Sequence, residues 1–233
     1  MKQIILFFIT LIVLASCHHT SGSGNIVTEK RTVGNFKGIS AGGDFDVEVK
    51  IGPVTEVTVE ADDNVMEYIE TEVNNNILRI RTEGMHNFSN THMKVYITVP
   101  ALTSVKASAS AGVTVNDLLT STSKLSFQSS SSGTITAEVD APEIETDASS
   151  GGSVNISGKT KSHNAEASSG ASIKTWNLLS EHTRVSASSG ASAQVHASIS
   201  LKASGSSGAE ITYRGAAEVN KSVSSGASVE KRD

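Results

Sequence analysis

The chain has 233 residues, a formal charge of −5, 37% hydrophobic and only 4% aromatic residues, so it is acidic and poor in the large side chains that usually build cores. Nineteen Lys and Arg against 24 Asp and Glu, with no basic run longer than a pair, leave no electrostatic track for a phosphate backbone, which excludes nucleic acid as a partner. The single cysteine excludes an internal disulfide framework and a cysteine zinc cluster.

Lys2 is followed by the apolar run Ile4 to Leu14, too short to span roughly 30 Å of hydrocarbon and suited to the apolar region of a signal peptide. Residues 1–16 are therefore expected to be a cleaved leader. Leu14-Ala15-Ser16-Cys17 resembles the bacterial lipobox, which implies that Cys17 receives a diacylglycerol and becomes the mature N-terminus. An N-acyl chain added to it gives the two or more chains that stable attachment requires, so a membrane is the expected partner. The expected location is the cell envelope, lipid-anchored, at the outer membrane on its periplasmic or its surface side. Residues 17–25 lack apolar periodicity and are rich in Ser and Gly, the composition of a flexible tether. His18 and His19 on such a tether have no third ligand or scaffold, so no metal is assigned to them.

Residues 26–104 read as an N-terminal β region. Phe45, Val47, Val49 and Ile51 alternate with Asp44, Asp46, Glu48 and Lys50, and Val57 and Val59 continue the rhythm after Gly52-Pro53, which predicts a hairpin. Alternation also predicts strands over 77–82, after Asn74-Asn75-Asn76, and over 95–99, before Pro100. Asp62 to Thr71 is the one helical stretch expected, and a short one, with Val65, Met66 and Ile69 on one face. His86 and His92 are read as polar residues flanking a hairpin loop.

Residues 105–233 are a different kind of sequence. The first hundred residues hold 5 serines and the remainder 32, with Phe127, Trp176 and Tyr213 as the only aromatics of that second part. Such a composition reads as disorder unless a regular repeat rescues it. The repeat is present: Ser-(Ser/Ala)-Gly recurs at Gly112, Gly133, Gly151, Gly170, Gly190, Gly208 and Gly226, at a mean interval of 19 residues. Three residues after these glycines stand Val115, Thr136, Val154, Ile173, Ala193, Ile211 and Val229, a nearly unbroken apolar column expected to face inward, with Ile135 one place early in the second copy. Three residues before them stand Ala109, Ser130, Ala148, Ala167, Ala187, Gly205 and Val223, mostly small, as a narrow interior requires. Glycine suits a corner needing positive φ, and serine hydroxyls suit a turning backbone. The fold expected is all-β: antiparallel strands and hairpins leading, without a break, into a parallel β-helix-like solenoid of about 19-residue coils, right-handed by analogy with parallel crossovers.

The pattern Asn35-Phe36-Lys37-Gly38-Ile39-Ser40 followed by Gly42-Gly43-Asp44-Phe45-Asp46-Val47-Glu48-Val49, behind a lipobox and ahead of the Ser-Ser-Gly copies, resembles the putative auto-transporter adhesin, head GIN domain family over about residues 30–229. The resemblance implies an exported bacterial protein with a β-helical body rich in serine and glycine. It supplies no catalytic residue.

Chemistry is sparse. Glu143, Glu145 and Asp147 alternate along one strand, and Asp147 and Glu166, each four residues before its glycine, are expected to stack on adjacent coils. Such a pair would suit a cation or acid–base work, but no Arg or Lys catalytic partner and no aromatic sugar platform recurs beside it, and a solvated outer face relieved by water and by Lys159 or Lys161 is the preferred reading. There is no G-x-S-x-G elbow, and His163, His182 and His196 hold no common column. Trp176 is read as a cap over Leu178 and Leu179. No catalytic, cofactor or metal residue is assigned, and the chain is read as no enzyme. The expected role is a lipid-anchored surface presenting a solenoid face to a glycan or protein. The alternatives are a structural periplasmic envelope lipoprotein without a dedicated ligand and, more distantly, a carbohydrate-active β-helix enzyme.

Overall fold

A computed structural model describes residues 18–84 and 86–232; Cys17 and the expected leader lie outside the described residues. The chain is 63% strand and 2% helix, organised as a β-solenoid of about 7 turns with coils about 20 residues apart. Among the described residues no helix is long and apolar enough to cross a membrane.

The N-terminal part runs β1 (His18–Ser21), β2 (Ile26–Arg31), β3 (Gly38–Gly42), β4 (Asp46–Ile51), β5 (Glu56–Asp62), α1 (Asp63–Met66), β6 (Ile69–Asn74), β7 (Ile77–Thr82), β8 (His86–Ser89) and β9 (Met93–Val99). Two stacked faces of the solenoid matter for function. The first stacks β7, β3 and then, in parallel, Ser104–Ser108, Leu125–Ser129 and the later strands through Glu218–Val223. The second stacks β9, β4, Gly112–Val115 and its successors through Ser228–Lys231.

The antiparallel pairs are β2 with β5, β5 with β9, and β6 with β7. The hairpin expected across Gly52-Pro53 does not form. β9 lies between β4 and β5, parallel to the one and antiparallel to the other. Both edges of β4 are thus taken by parallel partners, and alternation, which reports only which side chains point inward, carries no information about which strand is the neighbour. The turn that does close a hairpin is Asn75-Asn76, with φ of 51° and 62°, joining β6 to β7. Helix α1 is a single turn, with Val65 and Met66 buried. The segment expected as a loop around His86 is instead β8, paired in parallel with β1. Residues 18–25 are likewise no free tether, being held in β1 and by bonds to Asp62, Asp63 and Asn64.

The repeat is in place, with a correction to its register. Each corner is a pair of consecutive left-handed residues, and in five copies the second of the pair is Gly151, Gly170, Gly190, Gly208 or Gly226, at φ of 70–75°. In the first two copies the pair is Ala109-Ser110 and Ser131-Ser132, so Gly112 and Gly133 fall two and one residues beyond the corner. The inward column is therefore Val47, Val95, Val113, Ile135, Val154, Ile173, Ala193, Ile211 and Val229. Thr136 points outward, Val115 belongs to the neighbouring inward column, and Ala109 is an exposed corner residue. A left-handed non-glycine residue costs about 1–2 kcal/mol, which the coil-to-coil hydrogen bonds on either side overcome. Gly133 meets a separate demand: a Cβ there would lie 2.6 Å from the Ala107 carbonyl oxygen.

The two ends differ. The N-terminal end is covered by β2, β5, β6 and α1. At the other end Lys221 occupies the inward position that Ala203 holds one coil earlier, and its ammonium donates to the Val229 carbonyl at 3.4 Å. An inward-pointing charge at an edge strand discourages further strand addition.

Candidate binding face

The outer side of the first face carries three columns of side chains, one residue per coil, about 4.8 Å apart. One column runs Lys106, Gln128, Asp147, Glu166, Ser186, Ser204 and Ser222. The next runs Ser104, Ser126, Glu145, Asn164, Arg184, Lys202 and Asn220. The third runs Glu143, Ser162, His182, Ser200 and Glu218. The face is therefore acidic in its middle and cationic on both sides, with Lys106 and Lys124 toward one end and Arg184 and Lys202 toward the other.

Asp147 and Glu166 stand on adjacent coils, as their spacing predicts. Burial pushes the Asp147 carboxyl up, Glu145 and Glu166 add to the push, and a hydrogen bond with Gln128 and the charge of Lys124 oppose it. Lys124 donates to Glu145 at 2.7 Å, and that bond holds the exposed ammonium above its ordinary range. The acidic middle is thus relieved by Lys124, whereas Lys159 pairs with Asp140 at 3.5 Å. Within the third column His182 Nδ1 and Ser200 Oγ are 2.8 Å apart.

Beside this face runs the ridge of corners. Ser130, Ser149, Ser168, Ser188, Ser206 and Ser224 form one ladder, and the exposed Ser131, Ser150, Ser169, Ser189, Ser207 and Ser225 form the next. The corner backbones are bonded coil to coil: Gly151 N–H to the Ser169 carbonyl at 3.1 Å, Gly170 to Ser189, Gly190 to Ser207 and Gly208 to Ser225 at 3.0 Å each. The backbone is thereby satisfied within the protein, while the exposed hydroxyls of the outer ladder face solvent.

The residues singled out for other chemistry lie apart. His92 Nε2 sits 2.7 Å from Glu60 Oε1, and His19 Nε2 sits 3.0 Å from Ser89 Oγ. Among the described residues no group of three or more His, Cys, Asp or Glu is placed to hold a metal ion. Arg214 lies over the Trp176 ring, 5.4 Å from its centroid, and donates to Asn177 Oδ1 at 3.1 Å. Leu178 is buried but Leu179 is exposed, so Trp176 pairs with a cation rather than capping both leucines.

His163, read from the sequence only as a histidine outside any common column, is buried in the structure. It is 1% exposed and sits inward behind the first face, in the column Leu125, Ile144, His163, Thr183 and Leu201. Its Nε2 is 3.0 Å from Thr146 Oγ1, its Nδ1 has no hydrogen-bond partner, and burial pushes its pKa down to about 4. The signal lay in the spacing: Ile144 and Leu201 stand whole coils away in the same inward position.

The family model for putative auto-transporter adhesin, head GIN domain, matches residues 35–217. A putative adhesin from Bacteroides fragilis superposes with a TM-score of 0.83 at 20% identity, covering 91% of this chain and 98% of that one. A putative lipid binding protein and a putative adhesin, both from Parabacteroides distasonis, give TM-scores of 0.73 and 0.72 at 17% and 22% identity, each covering 92% of this chain and 100% of their own. At these identities the likeness shows the fold alone. No curated protein matches the chain.

Proposed function

We propose that this chain, which belongs to the putative auto-transporter adhesin, head GIN domain family, is a lipid-anchored binding module of the cell envelope that presents the first face and its serine ridge to an extended glycan or protein ligand. The observation that carries the reading is the face itself: three outward columns of polar and charged side chains in coil register, on a backbone that spends its hydrogen bonds internally. An extended ligand meets the same spacing at every coil, which is how solenoids offer long recognition surfaces.

The interior supports an outer rather than an inner site. Val154, Ile173, Ala165, Val185 and Ala203 close the space between coils with exposures of 0–1%, so a ligand chain is better placed along the outside. The enzyme reading is disfavoured because catalysis needs several groups converging on one reacting centre, and the columns of this face stand side by side. Cys17 supplies the anchor in this reading, and the envelope is its location. Cys17→Ala should move the protein from the detergent phase to the aqueous phase; retention with the detergent would refute the anchor.

The binding claim is tested by applying the purified chain to a glycan array and to immobilised envelope proteins, beside Arg184→Glu/Lys202→Glu. Selective binding that drops at least tenfold in the double variant, with circular dichroism unchanged, is the expected result. Binding indifferent to both substitutions would place the ligand on another surface. Protease shaving of intact cells releases the module if it faces outward and spares it if it faces the periplasm.

A further inference from the structure

A set of hydrogen bonds at the N-terminal end serves neither the coil stack nor the binding face. Asp62, 1% exposed, accepts from Gly24 N–H at 2.6 Å and from His92 N–H at 2.7 Å. Asp63 accepts from the Ser23 hydroxyl at 2.6 Å and from Asn25 Nδ2 at 2.7 Å. Asn64 accepts from Ser23 N–H at 3.1 Å and donates to the Ser21 carbonyl at 2.9 Å. Gly22 N–H reaches the Ser89 carbonyl at 3.1 Å. No side chain fits at Gly22, because a Cβ would lie 2.5 Å from the Asn90 carbonyl oxygen and 2.6 Å from Asp62 Oδ2. From there β1 runs beside β8, with Thr20 opposite Phe88. A two-stranded pair is marginal alone, so the bonds to Asp62, Asp63 and Asn64 are what secure it. A segment with the composition of a flexible linker is instead fastened along its length.

We propose that residues 18–25 form a strut that seats the N-terminal end of the solenoid directly on the lipid headgroups, with the β8 edge in the headgroup layer. The proposal rests on Cys17 as the acylated residue. Consecutive Cα atoms are about 3.8 Å apart, so the acyl attachment lies one residue's reach from β1. The headgroup layer is about 5–8 Å deep on each side of a bilayer, which brings the strand paired with β1 into it. Phe88 packs against the core, and the half-buried Tyr68, its ring centroid 5.8 Å from that of Phe88, supplies beside β8 the residue class that favours the interface. Because β7 and β9 lie on one side of β3 and β4, the coils stacked on the other side, with their binding face, are held away from the bilayer. The strut makes the pose of that face on the membrane fixed rather than free.

The test uses the full lipoprotein, in which acylation of Cys17 leaves an introduced thiol as the one labelling site. Asn87→Cys and Ser225→Cys each carry a fluorophore, in phosphatidylethanolamine–phosphatidylglycerol vesicles with a headgroup-borne quencher. The label at residue 87 should be quenched several-fold more than the label at residue 225. Twelve Gly/Ser residues inserted between Cys17 and His18 leave every contact of the fold in place and add about 20 Å of slack, so the insertion should abolish the difference, as should Gly22→Val. Equal quenching in an acylated chain, or a difference unmoved by the insertion, would overturn the strut and leave the anchor standing. Mass spectrometry showing Cys17 unacylated would overturn the anchor and the seat together.

Discussion

The N-terminal end and the later coils solve the same packing problem with different side chains. Near the start the interior is filled by Phe36, Phe45, Met66, Leu78, Ile80 and Ile97. From residue 148 onward five inward positions of the first face, beside larger ones such as Val185 and Leu201, hold alanine: Ala148, Ala165, Ala167, Ala187 and Ala203, which are buried as completely. Burial is thus equal while buried volume is not. Where side chains are small the coils must be narrow, and stability leans on the continuous backbone ladder and on many modest contacts. Where the chain makes its irregular path through β5, α1 and β9, large side chains fill the wider space. Close packing accepts either solution provided volumes match, so a poverty of aromatics is no sign of disorder when the ladder is continuous.

This contrast can be broken most sharply at Phe45. Phe45→Ala should cost about 3–5 kcal/mol in chemical denaturation, since a large cavity opens in the wide part of the core. A loss below about 1 kcal/mol would mean that this region is loosely packed. The next effect belongs to His163, the one titratable member of the column Leu125, Ile144, His163, Thr183 and Leu201. Its folded pKa of about 4 lies below the ordinary 6.5, so its contribution is complete above pH 6.5, declines as the unfolded chain takes up a proton below that pH, and is exhausted near pH 4. A gap of that size corresponds to roughly 3 kcal/mol. His163→Leu should flatten this part of the stability profile; an unchanged slope would contradict the buried neutral ring. Asp147 works in the opposite sense, because its raised pKa lets the folded state take a proton first. The smallest of the three effects concerns the corners. No atom lies within 4 Å of a Cβ placed at Gly170, so Gly170→Ala should cost only the left-handed backbone penalty, about 1 kcal/mol. Ser132→Gly, at the equivalent corner of the second copy, should shift stability in the opposite direction.

Strands and repeat were readable because both are local or periodic: alternation marks inward Val47, Val49, Val95 and Ile97, and the serine–glycine phase marks the coils. Stacking of Asp147 on Glu166 followed from the same count. What escaped was information carried by partners distant in the chain. The insertion of β9 between β4 and β5 depends on which edges are left open, and no residue of β4 states that. The fastening of residues 18–25 depends on Asp62, Asp63 and Asn64, some forty residues away. In the first two copies the glycine slid past the corner because serine and alanine can hold a left-handed backbone when neighbouring coils enforce it, so aligning copies by glycine shifted Val115 and Thr136 out of their true columns.

The central claim, that one residue per coil enters a stacked interior while its neighbour faces outward, is tested most directly by comparing Ile173→Ala with Ser172→Ala in urea unfolding of the same protein. Ile173 is fully buried between Val154 and Ala193, so its truncation should cost about 2–4 kcal/mol. Ser172 points outward and its truncation should change stability by less than about 0.5 kcal/mol. A gap of that size is the predicted result; equal effects from the two substitutions would contradict the stacked-coil account.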